Sequence, residues 1–213
     1  SKLEELKPRW NSDILFLTDI KISPFNKHFI FQDKQYLLGK SDRNSDNFDI
    51  LLFARRDIEY AKIPSNIKII SDYAFHQCSF LTRVEFPIDS KLQLIGKNAF
   101  GFSIFTSFIV PPQVKKIDEG AFGNCQELKD FVIQKNSELK IIEKDAFSHS
   151  KIEKIYLPKN LELKDGWCSW INALNEIEVS PFNRNYVFKD NKYLLGKSDM
   201  NNDDYDVLLF AHR

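Results

Sequence analysis

The sequence predicts a mostly β repeat solenoid of the α/β type, with a parallel β-sheet along one face and two β-hairpin inserts. Three observations predict it. A block of 34 residues occurs twice, a shorter motif ending in Ala-Phe occurs four times, and each short motif follows a segment that alternates like a strand.

The duplicated block sets the outer organisation. SPFNKHFIFQDKQYLLGKSDRNSDNFDILLFARR, from Ser23 to Arg56, returns as SPFNRNYVFKDNKYLLGKSDMNNDDYDVLLFAHR, from Ser180 to Arg213, an offset of 157 residues. Upstream, Leu6, Lys7 and Trp10 align with Leu163, Lys164 and Trp167, so residues 6–56 are a first copy of residues 163–213. DIKIS (19–23) and NEIEVS (175–180) fit the strand template just ahead of each copy. Inside the first copy, HFIFQ, QYLLGKSD and FDILLFARR place apolar runs between polar turns, which predicts hairpin inserts over residues 23–56 and 180–213. Residues 57–179 carry the regular repeats, and residues 1–213 read as one solenoid domain. Arg56 runs on through Asp57 into the next strand, whereas Arg213 closes the sequence. The chain therefore reads as a little more than one period of a longer array.

The regular repeats follow in order. SNIKIISDYAF, IDSKLQLIGKNAF, PQVKKIDEGAF and KNSELKIIEKDAF end at Phe75, Phe100, Phe122 and Phe147. The strand-like segments are IEYAKIP, LTRVEFP, FTSFIVP, LKDFVIQ and, after the last Ala-Phe, IEKIYLP. Measured between Pro64, Pro87, Pro111, Gln134, Pro158 and Ser180, which follow the segments, the spacing is 22 to 24 residues, a leucine-rich repeat period. In LTRVEF, Leu81, Val84 and Phe86 face inward while Arg83 and Glu85 face out. One such unit cannot bury its own apolar face, so stacked units must share a core. Ala-Phe then forms the opposite wall of each coil. The third residue after each Phe is Cys78, Ser103, Cys125 or Ser150, a small polar group expected to bond nearby backbone. That alternation gives a pair period of 47 residues. Trp10, Trp167 and Trp170 flank the enlarged repeats and are expected in the core.

These units resemble the BspA-like leucine-rich repeat family of surface antigens, through IPSNIKIISDYAFHQC followed, after two intervening residues, by Leu81 and an alternating strand. The inserts resemble the hairpin units of its trichomonad members, through SPFN, YLLGKSD and LLFARR. The resemblance covers residues 14–213 and implies a right-handed solenoid with its parallel sheet on the concave face. It also implies a cell-surface or secreted protein that adheres to host proteins or cells. Gln134 departs from the family's strand-ending proline.

Composition and motifs narrow the function. Thirty basic and thirty acidic residues cancel, which removes any net pull toward nucleic acid or an anionic membrane. No apolar run reaches the roughly 20 residues of a membrane span. The three cysteines, Cys78, Cys125 and Cys168, form no C-x-x-C pair and read as free thiols. His28, His76, His149 and His212 are scattered, outside any metal-ligand spacing. No G-x-S-x-G, Walker A or G-x-G-x-x-G is present, so neither an enzyme nor a cofactor is expected. Asp42, Asn44 and Asp46, repeated as Asp199, Asn201 and Asp203, place oxygen ligands alternately as a calcium loop does. The sixth-position glycine is missing and the twelfth position holds Phe53 or Phe210, so the polar hairpin tip is the better reading.

The candidate site is the outward face of the sheet. Aligning the segments gives one outward column through Asp19, Tyr60, Arg83, Ser107, Asp130, Lys154 and Glu176. The second runs through Lys21, Lys62, Glu85, Ile109, Val132, Tyr156 and Glu178. Tyr60, Arg83, Glu85, Ile109, Val132, Lys154 and Tyr156 are the expected partner-binding residues, because an apolar centre inside a charged rim is how protein interfaces are built. Host matrix or cell-surface protein is the expected partner. The alternatives are a self-assembling spacer pairing through open solenoid ends, or an intracellular scaffold, which free thiols and the lack of N-x-S/T sequons would suit.

Overall fold

The computed structural model describes residues 6, 9–14, 17–199 and 201–211, so Lys7, His212 and Arg213 lie outside the described residues. The first insert is a three-stranded antiparallel meander of β1 (Phe29–Gln32), β2 (Tyr36–Gly39) and β3 (Ile50–Ala54). Each coil then contributes one longer strand and one two-residue strand. In order these are β4 (Tyr60–Lys62) and β5 (Ile69–Ile70), β6 (Arg83–Glu85) and β7 (Leu94–Ile95), β8 (Ser107–Val110) and β9 (Lys116–Ile117). They continue as β10 (Asp130–Ile133) and β11 (Ile141–Ile142), β12 (Lys154–Leu157) and β13 (Glu162–Leu163), then β14 (Glu176–Val179). The second insert repeats the meander as β15 (Tyr186–Lys189), β16 (Tyr193–Gly196) and β17 (Val207–Ala211). No helix occurs among the described residues.

Stacking joins like strands of successive coils in parallel ladders. The short strands form one continuous sheet, β1-β2-β3-β5-β7-β9-β11-β13, into which the first insert is welded by the β3–β5 pair. The longer strands form two ladders, β4-β6 and β8-β10-β12-β14. Between them the Ala-Phe turns bond to each other across coils, as in Phe75 N to Ala99 O at 2.7 Å and Phe100 N to Ala121 O at 2.8 Å. These turns need a left-handed residue two positions before each Phe, held by Tyr73, Asn98, Gly120 and Asp145 at φ of 59°, 50°, 61° and 54°.

The core is an aromatic stack generated by the repeat. Phe75, Phe100, Phe122 and Phe147 are fully buried, and adjacent rings lie stacked at 4.9, 5.4 and 5.9 Å between centroids. Trp167 takes the next place, edge-on to Phe147 at 6.4 Å. From the longer strands, Phe108 and Phe131 meet the stack edge-to-face, each within 5.1 Å of two of its rings. Ala74, Ala99, Ala121 and Ala146 are fully buried too, small enough to let the coils approach.

Several expectations need correction. DIKIS is not a strand: residues 17–23 have no ladder partner, and Ile20 and Ile22 instead pack with Trp10, Ile14 and Leu17 on Phe29, Leu37 and Phe53 of the first insert. NEIEVS does form β14, because β12 lies beside it as a partner. Tyr36, Leu38 and Leu51 of the first insert, and Tyr186 and Leu194 of the second, belong to the main core, so each insert packs on the coil beside it. Trp10 and Trp167 pack as expected, but Trp170 is 69% exposed and stacks on His149 instead. Cys78, Ser103, Cys125 and Ser150 are all buried, yet only the thiols find backbone carbonyls, Cys125 Sγ to Phe100 O at 3.1 Å and Cys78 Sγ to Arg55 O at 3.6 Å. The Ser103 and Ser150 hydroxyls have no partner among the described residues.

Candidate partner-binding site

Ladder register decides which candidate residues meet. Tyr60 lies opposite Arg83 and Lys62 opposite Glu85 on β4 and β6. On the second ladder Ser107 pairs with Asp130, Ile109 with Val132, Asp130 with Lys154, and Tyr156 with Glu178. No ladder bond joins β6 to β8, so the seven residues fall into two groups.

The first group is spent on itself. Tyr60 donates its hydroxyl to Glu85, Arg83 pairs with the same carboxylate, and the Arg83 guanidinium sits 5.8 Å from the Tyr60 ring. The hydrogen bond to Glu85 raises the Tyr60 pKa, which keeps the phenol protonated. Asp19 and Lys21 do not extend either column, since their segment forms no strand.

The second group forms an apolar strip. Ile109 is 55% and Val132 44% exposed, side by side on adjacent strands, although both could have been polar at no cost to the core. Tyr156 is half-buried and packs against the main core, so its ring is held firm. A groove of about 310 Å³ is lined by Val132, Tyr156, Lys135, Lys154 and Glu178 among others. Three of its charges are linked: Glu178 takes Lys135 at 3.8 Å and Lys154 at 4.0 Å, and Lys154 also holds Glu176, which raises the lysine's pKa. Exposed pairs of this kind steer and orient more than they stabilise.

Phe182 was not among the expected residues. It is 76% exposed and shares a neighbouring hollow of about 680 Å³ with Tyr156, Lys159 and Glu178, extending the strip onto the second insert. The signal available in the sequence was the Ser-Pro-Phe-Asn turn, whose other copy leaves Phe25 91% exposed.

The remaining chemistry-bearing groups are spread out. Asp42 Oδ1 accepts the Asn44 amide at 2.9 Å and Asp199 Oδ1 accepts that of Asn201 at 2.9 Å, so these carboxylates close their own turns. Burial pushes the thiols up, Cys78 and Cys168 to about 11 and Cys125 to about 12, which leaves them un-ionised and unreactive at neutral pH. Burial, with Arg56 nearby, holds His76 below its ordinary value. Among the described residues, no three His, Cys, Asp or Glu gather to hold a metal, and no helix is long and apolar enough to cross a membrane.

Comparison with known proteins places this geometry. The sequence model of the BspA type leucine rich repeat region matches residues 49–168 in six copies. The pneumococcal vaccine antigen PcpA is 28% identical with a TM-score of 0.62, over 65% of this chain and 34% of that one. A leucine-rich repeat protein from Eubacterium ventriosum is 27% identical with a TM-score of 0.54, over 67% of this chain and 37% of that one. A leucine rich cell surface protein from Faecalibacterium prausnitzii shares the fold at 17% identity and a TM-score of 0.50, over 85% of this chain and 60% of that one. The chain thus spans 34% and 37% of the first two proteins. No curated protein matches it.

Proposed function

Because the chain belongs to the BspA-type leucine-rich repeat family through the six copies over residues 49–168, we propose that it is a non-catalytic adhesion module, displayed on a cell surface or secreted, which binds a protein partner along its longer-strand ladder. The observation that carries this reading is the in-register pair Ile109 and Val132, exposed together beside Tyr156 in a groove with a charged rim. Apolar groups gathered on rigid strands, with an aromatic anchor among them, are where interface energy concentrates. Surface display is supported by the likeness to PcpA, an antigen at 28% identity. A host matrix or cell-surface protein is the partner this reading expects, and Tyr60, Arg83 and Glu85 form the polar flank of the same face.

The test is surface plasmon resonance of the chain on immobilised fibronectin, laminin and collagen, alongside attachment to cultured epithelial cells. Ile109→Glu, Val132→Glu and Tyr156→Ala should each weaken capture at least about tenfold while the circular dichroism spectrum is retained. Undiminished capture by all three folded variants would sink the assignment.

A further inference from the structure

The lysines of the solenoid are not all balanced by acids. On or just after the short strands they are held by carboxylates of the same or the next coil: Lys116 reaches Asp118 at 3.2 Å and Glu143 at 3.0 Å, Lys97 reaches Glu119 at 2.7 Å, and Lys164 pairs with Glu162. Lys115, Lys140 and Lys159 are exposed, and their ammonium groups have no ion-pair or hydrogen-bond partner among the described residues. With Lys135 they line the hollow of about 680 Å³ in the bends that lead from each longer strand to its short strand. Four lysines there face two carboxylates, Glu138 and Glu178, and Glu178 is already divided between Lys135 and Lys154. The hollow therefore keeps an excess of positive charge in a chain whose charges otherwise cancel.

Stacking explains why the excess gathers here. Backbone amides put Lys68, Gln93, Lys115 and Lys140 in one column, since Gln93 donates to the Lys68 carbonyl at 2.8 Å, Lys115 to Gln93 at 2.8 Å and Lys140 to Lys115 at 2.9 Å. Lys68 is neutralised by Asp49 and Gln93 carries no charge, so the column turns cationic only at Lys115 and Lys140. Lys135 and Lys159 directly follow Gln134 and Pro158, in places that Ser65, Ile88 and Pro112 occupy on earlier coils. Adjacent coils lie roughly 4.8 Å apart, so the four lysines stand in two short rows within reach of one extended ligand. The longer strands of these same coils, β8, β10 and β12, carry Ile109, Val132 and Tyr156. Tyr156, Lys135 and Glu178 line both the groove beside the apolar strip and the cationic hollow, which makes the two continuous. Phe182 lines the hollow as well, and its exposure belongs to its turn, because Phe25 is 91% exposed in the copy that further coils follow.

We propose, building on the adhesive reading of the strip, that this hollow receives an acidic stretch of the protein partner, an extended segment whose Asp or Glu carboxylates meet Lys115, Lys140 and Lys159 beside the apolar groove. Opposite charge speeds such docking and sets its register. An extended polypeptide carries an apolar side chain two residues from a carboxylate on the same face, which matches cations bordering an apolar groove; a uniformly anionic polysaccharide has no such side chain.

The experiment is fluorescence anisotropy of the chain with a fluorescein-labelled peptide that alternates glutamate with serine and has phenylalanine in place of its central glutamate. Affinity should fall at least about tenfold in the triple variant Lys115→Glu, Lys140→Glu, Lys159→Glu, and likewise between about 0.05 and about 0.5 M salt, with the circular dichroism spectrum retained. Glutamine in place of the peptide's glutamates should cost as much. A charge-matched control on the inserts, Lys27→Glu, Lys34→Glu and Lys192→Glu, should stay within about twofold of the parent. No binding by the parent chain, undiminished binding by the lysine variant, or an equal loss in the control would overturn the proposal. So would heparin binding at least about tenfold tighter than the peptide and lost in the same lysine variant, which would assign the hollow to a sulfated polysaccharide. A peptide with glutamate restored in place of the phenylalanine reads the hollow alone. Lysine-dependent binding of that peptide upholds the acidic segment even where Ile109→Glu shows the strip to be idle, whereas lysine-independent binding that Ile109→Glu abolishes keeps the strip and removes the hollow.

Discussion

Replacing Arg56 with lysine keeps the charge and removes the fork. Arg56 is 4% exposed, and its guanidinium has no carboxylate partner among its bonds. Its N–H groups reach five carbonyls instead: Ile14 at 3.1 Å, Asn11 at 3.1 Å, Tyr73 at 3.1 Å, Ala74 at 2.7 Å and Ala54 at 3.3 Å. Those carbonyls belong to the segment before the first insert, the insert itself and the coil after it, so one side chain ties three parts of the chain. Burial lowers the arginine's pKa, but a guanidinium starts high enough to stay charged.

A lysine ammonium offers three donors and no plane. At least two of the five carbonyls would lose the bond from the side chain, and although the Tyr73 and Ala74 carbonyls keep the His76 and Ala54 amides, at about 1.5–3 kcal/mol for each hydrogen bond to a charged group the cost is about 3–6 kcal/mol. The contact over the Phe53 ring, 4.5 Å from its centroid, would weaken as well. Urea unfolding at pH 7 measures the loss, with limited proteolysis reporting whether residues 6–22 detach first. Arg56→Met gives the complementary reading, since it removes the buried charge along with every bond. A lysine variant within about 1 kcal/mol of the parent would refute the claim that the carbonyl set, rather than the charge, is what Arg56 serves.

Other substitutions probe separate layers. Phe122→Ala removes the central ring of the stack and should cost about 3–5 kcal/mol in the same urea assay, while Phe25→Ala at an exposed turn should stay within about 0.5 kcal/mol. Gly120→Ala places a Cβ at φ +61°, 2.5 Å from Asn98 Oδ1, and should lower stability by about 1–2 kcal/mol, read as a reduced Tm. Asp49 carries a pH signature. Burial tends to raise its pKa, but hydrogen bonds from Ser41 and the Lys68 pair outweigh that and hold it below the usual carboxylate range. A depressed folded pKa adds stability above the unfolded value of about 4, lost as pH falls through the folded one. The parent should therefore lose more stability than Asp49→Asn between pH 7 and pH 3, and parallel pH profiles would show that the pair contributes nothing.

The parts of this protein that were legible from sequence are those that a residue's own repeat determines. Counting from one Ala-Phe to the next places Phe75, Phe100, Phe122 and Phe147 in one stack, and the same count sets Ile109 beside Val132 and Tyr156 beside Glu178. What the count cannot supply is the neighbour. DIKIS and EIEV carry equivalent alternation, yet only the one with β12 alongside becomes a strand, because an isolated ladder edge leaves its amides and carbonyls unmatched. The division of the candidate residues between two ladders has the same origin: each strand alternates correctly, and pairing across the β6 to β8 step depends on the backbone of two coils at once. Leu51 and Leu208 sharpen the point, since equivalent positions in near-identical blocks are fully buried in one case and 58% exposed in the other. Repeat stability is a sum over units and interfaces, so local pattern identifies the unit while the interface term belongs to whatever lies next in the stack. The exposure of Leu208 is therefore not a weakness of that insert's own sequence, which satisfies Ser198 and Asp206 just as the first satisfies Ser41 and Asp49.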